Sequence, residues 1–123
     1  MGALVQRICW LILAAIHAVP ALAFFRPSSI TQLYGVAADD QLFLLLHHRA
    51  ALFLAIFIAC IWAAFHSQAR RMAGVLVAIS MISFLWLFVS AGQPASLKMI
   101  ALADLVGLPF LLIAGVTTFR NPA

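Results

Sequence analysis

Long uninterrupted apolar runs dominate the chain, and the alternation of polar and apolar positions that a soluble domain needs is missing. Four of these runs approach or exceed the ~20 residues that a helix needs to cross a hydrocarbon core. They cover residues 8–25, 42–65, 72–91 and 100–117. The pattern therefore predicts an all-α, polytopic membrane protein with four transmembrane helices.

The connections at residues 66–71 and 92–97 are short, so consecutive helices are expected to be antiparallel neighbours in an up-down bundle. This bundle, residues 1–123, forms a single transmembrane domain. The longer first loop has a helix start at Pro27 and a C-cap residue at Gly35. We expect one or two helical turns there, lying along the outer interface and anchored by Tyr34. Asp39 or Asp40 should cap the second span.

Composition supports the membrane assignment, since 67% of the residues are hydrophobic and 8% are charged, against roughly 25% charged in soluble domains. The net charge of +4 comes from seven scattered basic residues that form no basic face, which argues against nucleic acid as a partner. The lipid bilayer is the predicted partner.

Arginines concentrate on one side of the predicted bundle, at Arg7, Arg70, Arg71 and Arg120. The positive-inside rule then predicts that both termini are cytoplasmic. Trp10 and Trp62 fall near that interface, where tryptophan is typical. An alternative for the first span is a signal peptide with a small-residue cleavage site at residues 21–23.

Each predicted span carries a polar residue at a similar depth. At 1.5 Å per helical residue, they lie roughly 6–14 Å below the outer surface. Polar groups at that depth are costly and mark pairing or function. We therefore predict a polar intramembrane layer, which is the candidate ligand-binding site, formed by His17, His48, Arg49, Ser83 and Asp104. Ser80, Ser83, Leu87 and Ser90 form one stripe that is expected to face the bundle interior.

Three interpretations of this layer stay open: a structural clamp made by an Arg49–Asp104 ion pair, a small-molecule site, and a proton or ion path. Arg49 is expected to face the fourth helix and to pair there with Asp104. His47 lies in register with the small residues Ala51, Ala55, Ala59 and Ala63, which predict close contact with another helix of the bundle or of a second subunit.

Cofactor and catalytic signals are weak. His17 and His48 on different helices could ligate haem b, as facing helices do in bundles, and a quinone is the other candidate cofactor. No metal site is predicted, because Cys9 and Cys60 lie far apart in apolar runs with no further ligand spacing. No set of catalytic residues can be assigned.

Residues 27–53 resemble the DoxX-like group of small four-helix bacterial membrane proteins. The resemblance rests on the proline after the first span, the run Leu33-Tyr34-Gly35-Val36, the acidic helix start and the run His48-Arg49-Ala50. It implies a bacterial inner-membrane location, with some members associated with quinone-linked oxidation or redox partners. Arg49 matches the basic residue of that group's second helix.

The functional hypothesis from the sequence is a binding or accessory membrane protein. It would hold a quinone-like or lipid-like molecule, or support a membrane complex or homo-oligomer. The alternatives are a membrane-embedded enzyme that acts on an apolar substrate, with His17 or His48 as acid or base, and a transporter subunit.

Overall fold

The computed structural model describes residues 2–120. They form five α-helices: α1 (Gly2–Leu22), α2 (Ser28–Tyr34), α3 (Gln41–Phe65), α4 (Arg70–Ser90) and α5 (Lys98–Arg120). Short 3-10 turns precede α4 and α5, and the described part of the chain contains no strand. The four longer helices are each long and apolar enough to cross a membrane. The predicted all-α fold with four candidate spans is therefore confirmed.

The four long helices pack around a common centre. α1 packs against α3 and α5, while α4 packs against α5 and, along a shorter contact, against α3. Gly107 on α5 leaves room for side chains of α1 and α4, because an added Cβ would lie 2.6 Å from the Met81 side chain and 2.7 Å from that of Ile16. We call the end that holds Gly2 and Arg120 the termini end, and the opposite end the α2 end.

The main core lies in the half of the bundle nearer the termini end. Trp10, Leu13, Val77 and Met81 are fully buried there. The two cysteines belong to the same cluster and are free thiols, so both are apolar packing residues of the core. Trp10 is thus a core residue, and its predicted place in an interfacial belt is wrong, whereas Trp62 is exposed.

A buried hydrogen-bond network ties the first helix to the last at the termini end. Trp10 Nε1 donates to Gln6 Oε1 at 2.9 Å. The Gln6 amide in turn donates to the Ala114 carbonyl at 3.1 Å and to Thr118 Oγ1 at 3.2 Å. Arg70 stabilises the same end, since its Nε donates to the Ala63 carbonyl at 2.8 Å, near the end of α3, where a cation complements the helix dipole.

α2 covers the opposite end of the bundle. Its Ile30 is fully buried in a small cluster with Ala23 and Ala50, so the helix docks on the bundle. Gly35 ends α2 in the left-handed region at φ 69°, as the sequence predicts. Tyr34 is half-buried and packs inward, not outward as an interfacial anchor.

Two further predictions concern α3. The Asp40 side chain accepts from the Leu42 N–H at 2.9 Å, which confirms the predicted cap. On the small-residue face that was predicted to make a close contact, Ala55 is exposed, whereas Ala59 packs against the main core and Ala63 is fully buried. The predicted contact within the bundle is therefore found only toward the end of α3. Contact of that face with another subunit stays a prediction. The residues of α3 that are buried are Ala50, Cys60, Ala63 and Ala64.

Candidate functional site

Arg49 lies about two turns into α3, in the half of the bundle toward the α2 end, and aromatic rings surround its guanidinium. Its Cζ is 4.8 Å from the ring centroid of Phe53, one turn further along the same helix. It is also 5.5 Å from the ring of Tyr34 and 5.6 Å from that of Phe84 on α4. Cation–π attraction to three rings holds this cation in an apolar setting.

The predicted Arg49–Asp104 ion pair is absent. Within residues 2–120, no carboxylate oxygen lies within 4.0 Å of a lysine, arginine or histidine nitrogen, and Arg49 makes no hydrogen bond. The reason is geometric, because α3 and α5 are not among the helix pairs that pack together. Asp104 is buried on α5, and Arg49 turns toward α4 and α2 instead of α5.

Tyr34 is close enough to Arg49 and Asp104 for both charges to affect the pKa of its phenol. Burial raises the pKa of its phenol, the Arg49 guanidinium lowers it, and the Asp104 carboxylate raises it. The three side chains therefore form one electrostatic group beneath α2, although Arg49 and Asp104 make no direct ion pair.

A groove lies between α3 and α4, and Arg49 is the only charged residue among residues 2–120 that lines it. The groove has a volume of about 490 Å³, which lies within the range of small-molecule sites. Its rim residues Leu52 and Leu87 are exposed on the outside of the bundle. We call it the Arg49 groove, and its lining comprises Arg49, Leu52, Phe53, Ile56, Ser80, Ser83, Phe84, Leu87, Phe88, Ala91, Pro94 and Leu97.

The serine stripe of α4 borders this groove and does not face the bundle interior as predicted. Ser80 is half-buried, whereas Ser83, Leu87 and Ser90 are exposed. The Ser83 hydroxyl donates to the Ser80 carbonyl at 3.3 Å, on its own helix. Arg49 and Ser83, two residues of the predicted polar layer, are thus brought to the same groove.

His17 is buried behind the groove and does not line it. Its Nδ1 lies 2.8 Å from the Leu13 carbonyl, which can only accept, so Nδ1 carries the proton in this contact. Nε2 is then a buried acceptor that has no partner among residues 2–120. The imidazole centroid is 6.0 Å from that of Phe53, so Phe53 contacts both His17 and Arg49.

The other histidines of the layer do not face His17. His48 is on the exposed surface of α3. His47 donates through Nε2 to the Phe24 carbonyl at 2.9 Å, beyond the end of α1. The haem b hypothesis required His17 and His48 in one pocket, and the structure does not bring them together. In residues 2–120 there is also no cluster of three or more His, Cys, Asp or Glu side chains that could hold a metal ion.

The polar layer is therefore divided. Arg49 and Ser83 line the groove, His17 and Asp104 are buried inside the bundle, and His48 is exposed. The aromatic residues Tyr34, Phe53 and Phe84 were not among the site residues predicted from the sequence. The position of Phe53 beside Arg49 could have been predicted, because residues i and i+4 on a helix are neighbours, whereas the other two rings belong to different helices.

No protein-family model, no curated protein and no solved structure matches the chain. The resemblance of residues 27–53 to the DoxX-like group therefore stays a prediction.

Proposed function

We propose that this membrane protein is a binding or accessory protein that holds a quinone-like or lipid-like molecule in the Arg49 groove. The apolar body of the molecule would lie against Phe53, Phe84 and Phe88, and its polar head would accept hydrogen bonds from Arg49. The observation that carries the proposal is a guanidinium that lines an apolar groove and donates no hydrogen bond within the described chain.

The physical reason is the cost of leaving those donors unpaired. Arginine carries five N–H donors and no acceptor, and a charged side chain at membrane depth costs several kcal/mol unless it is paired or reaches water. The three rings stabilise the positive charge but accept no conventional hydrogen bond from it. A bound molecule with an oxygen acceptor would supply what the protein lacks.

A binding function is favoured over the enzyme and transporter alternatives. The groove lining contains no acid and no histidine, so it offers no acid–base pair for catalysis. His17 could serve as a base, but Phe53 lies beside it and His17 does not reach the groove. An ion path would need a continuous polar lining, whereas nine of the twelve groove residues are apolar, the exceptions being Arg49, Ser80 and Ser83.

We further propose a multi-pass location in a bacterial inner membrane with both termini cytoplasmic, as the arginine distribution indicates. Single cysteines introduced at Val36 and Pro94, in a variant in which Cys9 and Cys60 are replaced by serine, should react with a membrane-impermeant maleimide from the periplasm. Labelling that requires access from the cytoplasm would show the opposite orientation.

The binding proposal is tested by extracting the protein into lipid nanodiscs without detergent and identifying co-purifying molecules by mass spectrometry. A molecule that is enriched over bulk lipid with the parent chain and lost with Arg49→Gln is the expected result. Arg71→Gln is the matched control, because Arg71 also lies over a ring, that of Phe119 at 5.8 Å, but at the termini end. Equal enrichment in all three proteins would refute the proposal.

A further inference from the structure

The surroundings of the Arg49 guanidinium restrict the chemistry of its ligand. Three aromatic rings lie within 6 Å of its Cζ, so rings occupy the space around the planar group while its N–H donors have no acceptor among residues 2–120. The unsatisfied groups of the site are therefore the N–H donors of one planar guanidinium, which are arranged as a fork. A fork of this kind matches two oxygens of one carboxylate or phosphate.

The charge of the lining points in the same direction. Arg49 is the single cation of the groove, and no acid lines it. Asp104 is buried on α5 and lies outside the groove. A negative head in the groove would form the ion pair that Asp104 does not make, and in a low-dielectric site this pair is stronger than in water.

The dimensions fit a slender molecule. From Arg49 to Ile56 the groove follows α3 for roughly 10 Å at 1.5 Å per residue, which encloses a head and the start of one chain. A second, shallow apolar groove on α4 shares Ser83 and Leu87 with the first and continues past Ile79, Ile82 and Trp86. A single alkyl chain could follow that surface into the lipid, whereas the head would stay beside Arg49.

We propose that the Arg49 groove is specific for a single-chain amphipathic oxyanion, with the carboxylate or phosphate bound by the guanidinium fork. This inference rests on the proposed binding function and narrows it to anionic lipid-like molecules, to the exclusion of neutral quinone-like ones. Long-chain carboxylates and lysophospholipid phosphomonoesters share the required chemistry.

The test uses the full chain in phosphatidylcholine nanodiscs at mildly alkaline pH, where a fatty carboxyl group is ionised. Four probes are compared by native mass spectrometry: oleate, oleoyl lysophosphatidate, methyl oleate and decylubiquinone. We expect one oleate or one lysophosphatidate per chain, bound at least about tenfold more tightly than either neutral probe, since hydrogen bonds to charged groups are the stronger ones. The tighter of the two anions identifies the carboxylate or the phosphate as the head.

Three variants complete the test. Arg49→Gln should weaken anion binding by about tenfold to a hundredfold, Arg49→Lys should weaken it less because the charge stays but the fork is lost, and Arg71→Gln should bind like the parent. Ser83→Trp fills the groove from an exposed position, leaves Arg49 in place and should also abolish binding, so it decides the matter if Arg49→Gln does not fold.

Equal affinity for oleate and methyl oleate, or oleate binding that survives both Arg49→Gln and Ser83→Trp, would overturn the inference. Saturable binding of decylubiquinone in preference to the anions, lost in the same two variants, would overturn it while leaving the proposed binding function intact. If none of the four probes binds, both proposals fail.

Discussion

The two ends of the bundle differ in the hydrogen-bond partners that their inward-facing polar side chains find. At the termini end, Gln6 receives a hydrogen bond from Trp10 and donates to Ala114 and Thr118, so the buried amide is satisfied. At the α2 end, Arg49 has rings around it but no acceptor, and Nε2 of His17 is buried without a donor. The Gln6 amide at the first end therefore holds the fold together, whereas the Arg49 donors and His17 Nε2 at the second end have no hydrogen-bond partner among residues 2–120.

The side-chain packing also differs between the termini end and the α2 end. The largest fully buried side chain, Trp10, lies toward the termini end, whereas the contact between α3 and α4 opens into the Arg49 groove toward the α2 end. Since unmet polar groups cost free energy that a purely structural bundle would avoid, their coincidence with a groove is the reason for placing the functional site there.

The largest expected effect is the loss of a core aromatic side chain at the termini end. Trp10→Ala should destabilise the protein by about 3–5 kcal/mol, because it leaves a cavity and unpairs the Gln6 carbonyl oxygen. Phe84→Ala, which removes a half-buried ring of the groove, should cost about 1 kcal/mol. Unfolding in mixed micelles of increasing SDS content measures both. Equal losses would contradict the contrast between the ends.

A smaller effect is expected from removing the buried amide alone. Gln6→Leu keeps most of the side-chain volume but leaves the Trp10 N–H and the Thr118 hydroxyl oxygen without their hydrogen-bond partner. Hydrogen bonds between membrane helices are typically worth about 0.6–1.7 kcal/mol, and a loss of about 1–2 kcal/mol is expected. Gln68→Leu, at an exposed position in the α3–α4 connection, is the control and should change stability by less than about 0.5 kcal/mol.

A double-mutant cycle on Arg49→Leu and Asp104→Leu should give a coupling energy below about 1 kcal/mol. A direct buried pair would give a much larger value, because removing one partner of such a pair typically costs 3–5 kcal/mol. The two side chains are not in salt-bridge contact, so the single losses should be nearly additive. A coupling energy above about 3 kcal/mol would show that Arg49 and Asp104 do form the ion pair that the sequence predicted.

The subtlest expected effect is in the titration of Tyr34, which is the single tyrosine of the chain. Its tyrosinate absorbance should appear above the usual pKa of about 10, since burial raises the pKa. Arg49→Gln should move the titration to higher pH and Asp104→Asn to lower pH, whereas Arg71→Gln should leave it unchanged. Opposite shifts would show that the two charges do not surround Tyr34 as described.

The raised pKa of Tyr34 also makes the free energy of unfolding depend on pH. Because the folded pKa is the higher one, the unfolded chain releases the phenolic proton first, and the free energy of unfolding should fall as the pH rises from about 10 through the folded pKa. Tyr34→Phe should lack this part of the decline. Unfolding curves recorded at several alkaline pH values would reveal it.

The spans and their ends could be predicted from the sequence because they depend on local signals. The apolar runs mark the four long helices, Gly35 ends α2, and Asp40 caps α3. The first helix begins at Gly2, earlier than its apolar run at Ile8 predicts, because Gln6 and Arg7 precede that run. A buried partner for Gln6 lies more than a hundred residues away, and no local pattern reveals it.

The rotation of each helix about its axis could not be predicted, and most errors follow from this. A soluble helix shows its inner face by its apolar stripe, but a membrane helix is apolar toward lipid and interior alike. Ala55 and the serines of α4 were therefore placed on the wrong faces, and Arg49 was assigned to the wrong neighbour. Depth can be counted along a helix, so the sequence predicts a common level for the polar residues, but it does not show which of their side chains meet.

The bond between Gln6 and Thr118 also constrains biogenesis. The two residues are 112 positions apart, and at 5–20 residues per second the ribosome needs on the order of ten seconds to travel from one to the other. During that interval the nascent first helix carries an amide NH2 group whose native acceptors on α5, the Ala114 carbonyl and the Thr118 hydroxyl, have not yet been synthesised. The bundle can close only after its last helix has been inserted, and a chain truncated before α5 would display that unmet amide to the membrane's quality-control proteases.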